Sequence, residues 1–138
     1  MQYTSSYPSP LGRLFLAAEE DGLTGAWFDG QKYFASSLNE ETEEKEIPLF
    51  NDVKKWLSIY FSGKEPGFTL PLHLTGSDFQ KEVWEILRSI PYGKTMTYGE
   101  IAKQIAARKR ISRMSAQAVG GAVGHNKISV IVPCHRVV

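Results

Sequence analysis

The sequence predicts an α+β (α/β) chain in two parts that divide near residue 70, and three observations predict it. Short apolar runs punctuated by turn residues fill the first part, and amphipathic stretches with helix-start signals fill the second. Charge is also divided: residues 1–70 hold 6 Lys/Arg against 11 Asp/Glu, a net of −5, whereas residues 71–138 hold 10 against 4, a net of +6. Of 138 residues, 42% are hydrophobic and 22% charged, ordinary for a soluble globular protein and enough for one domain or two small ones. No apolar run approaches the roughly 20 residues of a membrane span, and Met1-Gln2-Tyr3-Thr4 opens no signal-peptide pattern, so no membrane partner is expected. Cys134 is the only cysteine, which excludes an intramolecular disulfide and a multi-cysteine zinc site. A free thiol suits a reducing compartment, so the expected location is cytoplasmic.

In the first part, residues 3–7, 14–18 and 23–28 read as three short strands. The turn-rich Pro8-Ser9-Pro10-Leu11-Gly12 and Glu19-Glu20-Asp21-Gly22 separate them, the pattern of an antiparallel meander. Residues 39–46 are acidic and polar and read as a solvated loop or helix face. No His or Cys accompanies their carboxylates to complete a transition-metal ligand set. Phe50, Val53, Leu57, Tyr60 and Phe61 then recur at helical spacing, predicting a core helix over 49–61 that Gly63, Pro66 and Gly67 end.

The second part opens on Ser77-Asp78-Phe79-Gln80, a capping box, followed by an apolar face of Phe79, Val83, Ile86, Leu87 and Ile90; together they predict a helix over 78–89. After the turn Pro91-Tyr92-Gly93-Lys94, a second box, Thr97-Tyr98-Gly99-Glu100, predicts a helix from Tyr98 to about Ala107. Arg108-Lys109-Arg110 and Arg113 form a basic loop, and a third helical segment is expected from about Ser112 to Val123, closed by Gly124. Two short helices joined by a basic loop resemble a helix-turn-helix. The stretch from Ser115 to Ala122 carries little side-chain bulk, so its backbone can approach a large partner closely. Tight helix packing explains Gly120 and Gly121 equally well. A basic half points to a polyanionic partner.

Ile128-Ser129-Val130-Ile131-Val132 reads as a buried strand that delivers Pro133-Cys134-His135-Arg136. Two readings of Cys134 stand at this point. A lone cysteine near a strand end is commonly a small buried hydrophobe. Beside a histidine and an arginine it also has surroundings that favour the thiolate, the nucleophilic form. Neighbouring residues on a strand face opposite ways, so joint action of Cys134 and His135 requires a turn at Pro133-Cys134.

The longer string decides between them. Residues 118–126, Ala-Val-Gly-Gly-Ala-Val-Gly-His-Asn, and residues 131–138, Ile-Val-Pro-Cys-His-Arg-Val-Val, closely resemble the active-site region of the O6-alkylguanine-DNA alkyltransferases, the methylated-DNA–protein-cysteine methyltransferases. Ile90-Pro91-Tyr92-Gly93-Lys94, Thr97-Tyr98 and Glu100-Ile101-Ala102 look like that family's first helix-turn-helix helix and its lead-in. Ser9-Pro10-Leu11-Gly12 and Gly30-Gln31-Lys32-Tyr33-Phe34 look like its N-terminal half.

The resemblance implies a small ribonuclease-H-like N-terminal domain (1–70) with antiparallel strands. It implies a winged-helix or helix-turn-helix-like C-terminal domain (71–138) that binds double-stranded DNA through the minor groove and rotates the damaged nucleotide out. It implies that Cys134 accepts an alkyl group from O6-alkylguanine once per molecule, as a monomer and without cofactor. His135 takes the thiol proton through a water, Tyr98 serves the departing guanine, and Asn126 holds the turn before the active-site segment. Val123, Val132 and Pro133 line the base pocket, and Gln117, Tyr98, Gly99 and Ser115 meet DNA. Arg136 is expected either to lower the thiol pKa or to form a structural ion pair. The family's structural zinc, held in some members by Cys and His, is not available to a chain without N-terminal cysteines, and no metal is expected. Gln117 stands where the family has an intercalating arginine, which predicts weaker engagement of DNA. The glutamate that orients the family histidine has no counterpart before Val138, which predicts compromised activity. A non-transferring, lesion-binding protein and a Cys-His hydrolase unrelated to DNA are the other classes. Cys134 argues against the first, which the missing glutamate keeps open, and the absence of a recognisable oxyanion hole argues against the second.

Overall fold

The structure is a computed structural model that describes residues 2–30 and 41–138. It comprises two compact units, Met1–Thr75 and Gly76–Val138.

In the N-terminal unit, β1 (Gln2–Ser9), β2 (Gly12–Glu19) and β3 (Gly22–Phe28) form the expected antiparallel meander, with Tyr3 opposite Ala18 and Leu14 opposite Phe28. The β1–β2 turn is held by Ser9, whose Oγ accepts from the Leu11 N–H at 3.1 Å and donates to the Gly12 carbonyl at 2.6 Å. Gly12 takes φ +115°, a conformation that a side chain would oppose. Gly25 serves packing instead: a Cβ there would lie 2.0 Å from the Trp27 ring, so its absence makes room for a fully buried indole. Helix α1 (Pro48–Phe61) starts with a proline, whose missing N–H the first turn does not need. It buries Leu49, Phe50, Val53 and Leu57 and packs on β1, where Tyr7 stacks with Phe61 at 6.3 Å.

The acidic run differs from expectation. Thr42–Glu44 is a strand, β4, that pairs in parallel with β1 and gives a mixed sheet of order β3-β2-β1-β4. Its side chains are all exposed. Ladder formation needs only backbone N–H and C=O groups, so a polar edge strand carries no apolar pattern to betray it. Just after it, Glu46 accepts from Ser5 and Lys54, which together hold its carboxyl below the ordinary carboxylate range. Residues 39 and 40, and residues 31–34 of the family-like stretch, lie outside the described residues.

The C-terminal unit is helical. Both capping boxes form: Ser77 caps α2 (Asp78–Ser89) with Gln80 reaching back, and Thr97 caps α3 (Tyr98–Lys109) with Glu100 reaching back. Each pairs orphan N–H groups of a first turn, an effect of about 1 kcal/mol per cap. The apolar faces bury Val83, Trp84, Ile86 and Leu87 of α2 and Ile101, Ala102, Ile105 and Ala106 of α3. Helix α3 closes on Arg110 in the left-handed region (φ 55°), with the Ile111 N–H returning to the Ala106 carbonyl at 3.0 Å. The third helix, α4 (Ala116–Gly124), begins later than expected, because Ser115 rather than Ser112 supplies the cap: its Oγ accepts from Gln117 N at 3.1 Å and Ala118 N at 3.3 Å. The basic loop is shorter than expected: Arg108 and Lys109 form the last turn of α3, Arg110 caps it, and Arg113 lies in the connection to α4. Trp84 ties α2 to α4 by donating from Nε1 to the Ala122 carbonyl at 2.9 Å.

Candidate active site

The segment 128–132 is a turn, not the expected strand. Val130 sits at φ 71°, the Ile131 N–H donates to the Ser129 carbonyl at 2.8 Å, and the Val132 N–H donates to the Ile128 carbonyl at 3.0 Å. What permits a buried apolar run to turn is Asn126. Its side chain is buried, and both polar ends are used: Oδ1 accepts from the Ile128 N–H at 3.0 Å, and Nδ2 donates to the Val132 carbonyl at 2.8 Å. One amide therefore bridges the two limbs of the loop and pairs backbone groups that a sheet would otherwise have to satisfy.

The required turn at the cysteine is present. Pro133 is followed by a single 3₁₀ turn, Cys134–Arg136, with the Cys134 N–H on the Val132 carbonyl at 2.9 Å and the Val137 N–H on the Cys134 carbonyl at 3.2 Å. Both ends are anchored. The Met96 N–H donates to the Arg136 carbonyl and the Val138 N–H to the Met96 carbonyl, each at 2.9 Å, a parallel bridge that ties the turn to the residues leading into α3. Arg136 Nη1 donates to the Ile90 carbonyl at 2.9 Å, and its guanidinium lies over the Tyr92 ring at 5.5 Å. Arg136 is thus a structural anchor through a carbonyl and a ring, in place of the ion pair considered from sequence.

These connections collect the expected residues. Tyr98 is the first residue of α3, two positions beyond the bridge. A Cβ on Gly120 of α4 would lie 3.8 Å from the Tyr98 ring, so that ring packs on a helix face kept low by glycine. Val123 (7% exposed), Val132 (0%) and Pro133 are buried, Asn126 forms the base of the loop, and Cys134 is half-buried as a free thiol. His135 is exposed as a residue, yet partial desolvation of its imidazole, with the Arg136 charge adding to it, pushes its pKa below the ordinary 6.5. A neutral ring can accept a proton near neutral pH. Gly99, Ser115 and Gln117 lie at the starts of α3 and α4, all exposed. Sequence reading missed Met96 and Trp84. Met96 acts through its backbone and leaves no signal, whereas a tryptophan on an apolar helix face is a visible candidate for a buried N–H donor.

Among the described residues one group brings possible metal donors within 4.8 Å of each other: Glu19, Asp21 and His73, in the N-terminal unit. There His73 Nδ1 lies 3.4 Å from Glu19 and Nε2 3.5 Å from Asp21, so the two ring nitrogens face separate carboxylates, as in an ion-pair cluster. Among the described residues, no helix is long and apolar enough to cross a membrane.

Comparison with known proteins agrees in both units. Residues 2–74 match the family model of the 6-O-methylguanine DNA methyltransferase ribonuclease-like domain, and residues 78–138 that of the same family's DNA binding domain. The methylated-DNA–protein-cysteine methyltransferase of Haemophilus influenzae is 38% identical over 136 residues, covering 98% of this chain and 72% of that protein. The protein of the same name from Methanosarcina acetivorans is 40% identical, covering 99% and 83%. The crystal structure of Mycobacterium tuberculosis O6-methylguanine methyltransferase superposes with a TM-score of 0.83 at 40% identity, over 100% of this chain and 79% of that one. The M. tuberculosis OGT in complex with DNA gives 0.79 at 39%, over 99% and 77%. With the Asn126 loop, the Pro-Cys-His-Arg turn and both domain matches on one chain, this protein belongs to the 6-O-methylguanine DNA methyltransferase family.

Proposed function

We propose that this chain is a methylated-DNA–protein-cysteine S-methyltransferase that repairs duplex DNA by moving a methyl or larger alkyl group from guanine O6 to Cys134 Sγ. The observation that carries the reading is the clamped turn: Asn126 holds both limbs of the loop, and the half-buried thiol of Cys134 follows beside a histidine biased toward its neutral form. His135 accepts the thiol proton, directly or through a water, and the thiolate attacks the alkyl carbon. The S–C bond forms as the C–O6 bond breaks, and the electron pair leaves with the guanine ring. Tyr98, at the start of α3, serves the leaving base by donating a hydrogen bond or proton where charge develops. The thioether is stable, so each molecule reacts once. The thiol is the acceptor and the DNA the donor, and no further co-reactant enters the balance.

DNA binds at the start of α4 and the small-residue face from Ser115 to Ala122, with Gln117 as an uncharged wedge that can still hydrogen-bond an unpaired base. The target guanine leaves the stack, because an O6-alkyl group on a paired base is not open to in-line attack. Val123, Val132 and Pro133 receive it. The protein acts as a monomer. The relatives' named activity favours transfer over lesion binding alone.

Intact-protein mass spectrometry after incubation with a duplex carrying one O6-methylguanine tests the reading. The expected result is a gain of one methylene mass, saturating at one per molecule and absent in Cys134→Ser. Salt-sensitive DNA binding without any mass gain would refute transfer.

A further inference from the structure

Arg136 grips the lead-in to α3 at both ends. Its side chain takes the start: Nη1 donates at 2.9 Å to the carbonyl of Ile90, the residue that closes α2, and the guanidinium carbon lies 5.5 Å from the centre of the Tyr92 ring. Its backbone takes the end, where the Arg136 carbonyl accepts from the Met96 N–H at 2.9 Å. Between these points the lead-in is itself a tight turn, with the Lys94 N–H on the Pro91 carbonyl at 3.0 Å and Gly93 at φ 79°. Cys134 stands two residues before Arg136, and Tyr98 two residues after Met96. One arginine therefore connects the turn of the nucleophile to the helix start that carries Tyr98. The Tyr92 ring remains 37% exposed, while Arg136 is half-buried. A guanidinium can lie on an aromatic face and still use its N–H fork, and partial burial strengthens the attraction. A lysine ammonium has no flat face with which to do both.

We propose that Tyr92 is a positioning residue for alkyl transfer: its ring orients the Arg136 guanidinium on the Ile90 carbonyl, and the arginine so held fixes Cys134 relative to Tyr98. The proposal rests on the DNA-repair reading above. Tyr92 acts through Arg136, and the face of its ring, not its hydroxyl, does the holding. In-line displacement needs the nucleophile and the group that serves the leaving base in one arrangement, and a misplacement of about 1 Å can cost about 100-fold in rate. The backbone bridge at Met96 fixes one side of the Cys134 turn. The side-chain anchor at Ile90 and Tyr92 removes the rotation that a single anchor would leave.

The test is the rate of methyl transfer from a saturating duplex that carries O6-methylguanine, read as intact-protein mass after rapid quenching. Saturation removes differences in DNA affinity. The variants are Tyr92→Leu, Tyr92→Phe, Arg136→Lys, Arg136→Met and Tyr92→Leu combined with Arg136→Met. Tyr92→Leu should slow transfer about 3- to 30-fold, the range for a partly buried cation–ring contact. Tyr92→Phe keeps the ring face and should transfer at the wild-type rate. Arg136→Lys should be as slow as Arg136→Met, because charge without the planar fork does not hold the turn. The double variant should be no slower than Arg136→Met, since Tyr92 works through that side chain. Hydrogen exchange on the same proteins should show the Met96 and Val138 amides less protected in Tyr92→Leu with the Ile105 amide unchanged, which separates a loosened turn from a destabilised fold. A wild-type rate in Tyr92→Leu would overturn the positioning role, even beside a loss of stability in urea. Additive losses in the double variant, or a wild-type rate in Arg136→Lys, would overturn the route through the guanidinium. A wild-type protein that transfers no methyl group would overturn the repair reading and the positioning role with it.

Discussion

Replacing Asn126 with alanine should undo the loop that presents the nucleophile, and the structure sets the size of the effect. The Val132 carbonyl loses its bond from Nδ2 but keeps the one from the Cys134 N–H at 2.9 Å, so it remains satisfied. That half of the clamp is therefore worth an ordinary hydrogen bond, about 0.5–1.5 kcal/mol. The Ile128 N–H has Oδ1 as its partner at 3.0 Å, in a residue whose side chain is fully buried. Left unpaired it costs about 1–3 kcal/mol. The sum, about 1.5–4.5 kcal/mol, corresponds to roughly 10- to 1,600-fold more frequent opening. Amide hydrogen exchange reads it directly: the Ile128 and Val132 amides should lose protection by that factor while the Trp84 and Ile105 amides change little. The rate of Cys134 alkylation should fall at least tenfold, and affinity for undamaged duplex should hold. Unchanged protection of Ile128 and Val132 together with an unchanged alkylation rate would refute the clamp and leave the turn held by its own backbone bonds.

Arg110→Gly should move stability and binding in opposite directions. Relief of the left-handed strain at φ 55° gains about 1–2 kcal/mol, the added freedom of the unfolded chain returns about 0.5–1, and a net gain of up to about 1.5 kcal/mol should appear in urea denaturation. DNA affinity should weaken, because one exposed cation of the basic C-terminal unit is lost. For His135, a pKa held below 6.5 means the ring is neutral and able to accept a proton throughout the neutral range. The alkylation rate constant should be flat there and fall only as pH drops through a value under 6.5, an inflection that stopped-flow quenching at a series of pH values should lose in His135→Gln. Trp84→Phe keeps most of the buried ring, and the Ala122 carbonyl retains the His125 N–H at 3.2 Å, so chemical denaturation should report the loss of one ordinary hydrogen bond, about 0.5–1.5 kcal/mol.

The contrast between what sequence revealed and what it concealed follows from which atoms do the work. Helices α2 and α3 were legible to the residue at their starts, since a capping box writes two side chain–backbone bonds into four consecutive letters. The onset of α4 was not, because Ser112 and Ser115 are equal candidates and only the closure of α3 on Arg110 decides that the later one caps. The run 128–132 was misread as a strand because β-branched apolar residues report burial, and a buried strand and a buried turn look alike in that measure. The distinguishing feature, an asparagine amide taking the place of a neighbouring strand, is visible only once Asn126 is seen between both limbs. Likewise β4 pairs through backbone alone beneath exposed acidic side chains, and Met96 anchors the Cys134 turn with atoms that every residue but proline possesses. At the site itself, the residue types named the chemistry, and the backbone that aims them stayed silent.

The parallel bridge between Met96 and Val137 has a consequence for the order of assembly. Helices α2 and α3 carry their start signals within four residues and can begin to form from local contacts. The turn that bears Cys134 depends instead on distant partners: Ile90 lies 46 residues from Arg136, and Trp84 lies 38 from Ala122. Such closures pay their loop entropy before any contact rewards them, so they belong late on the folding path. The nucleophile is therefore assembled last, on helices already in place, and a partly folded chain holds its one reactive thiol outside the geometry that would activate it.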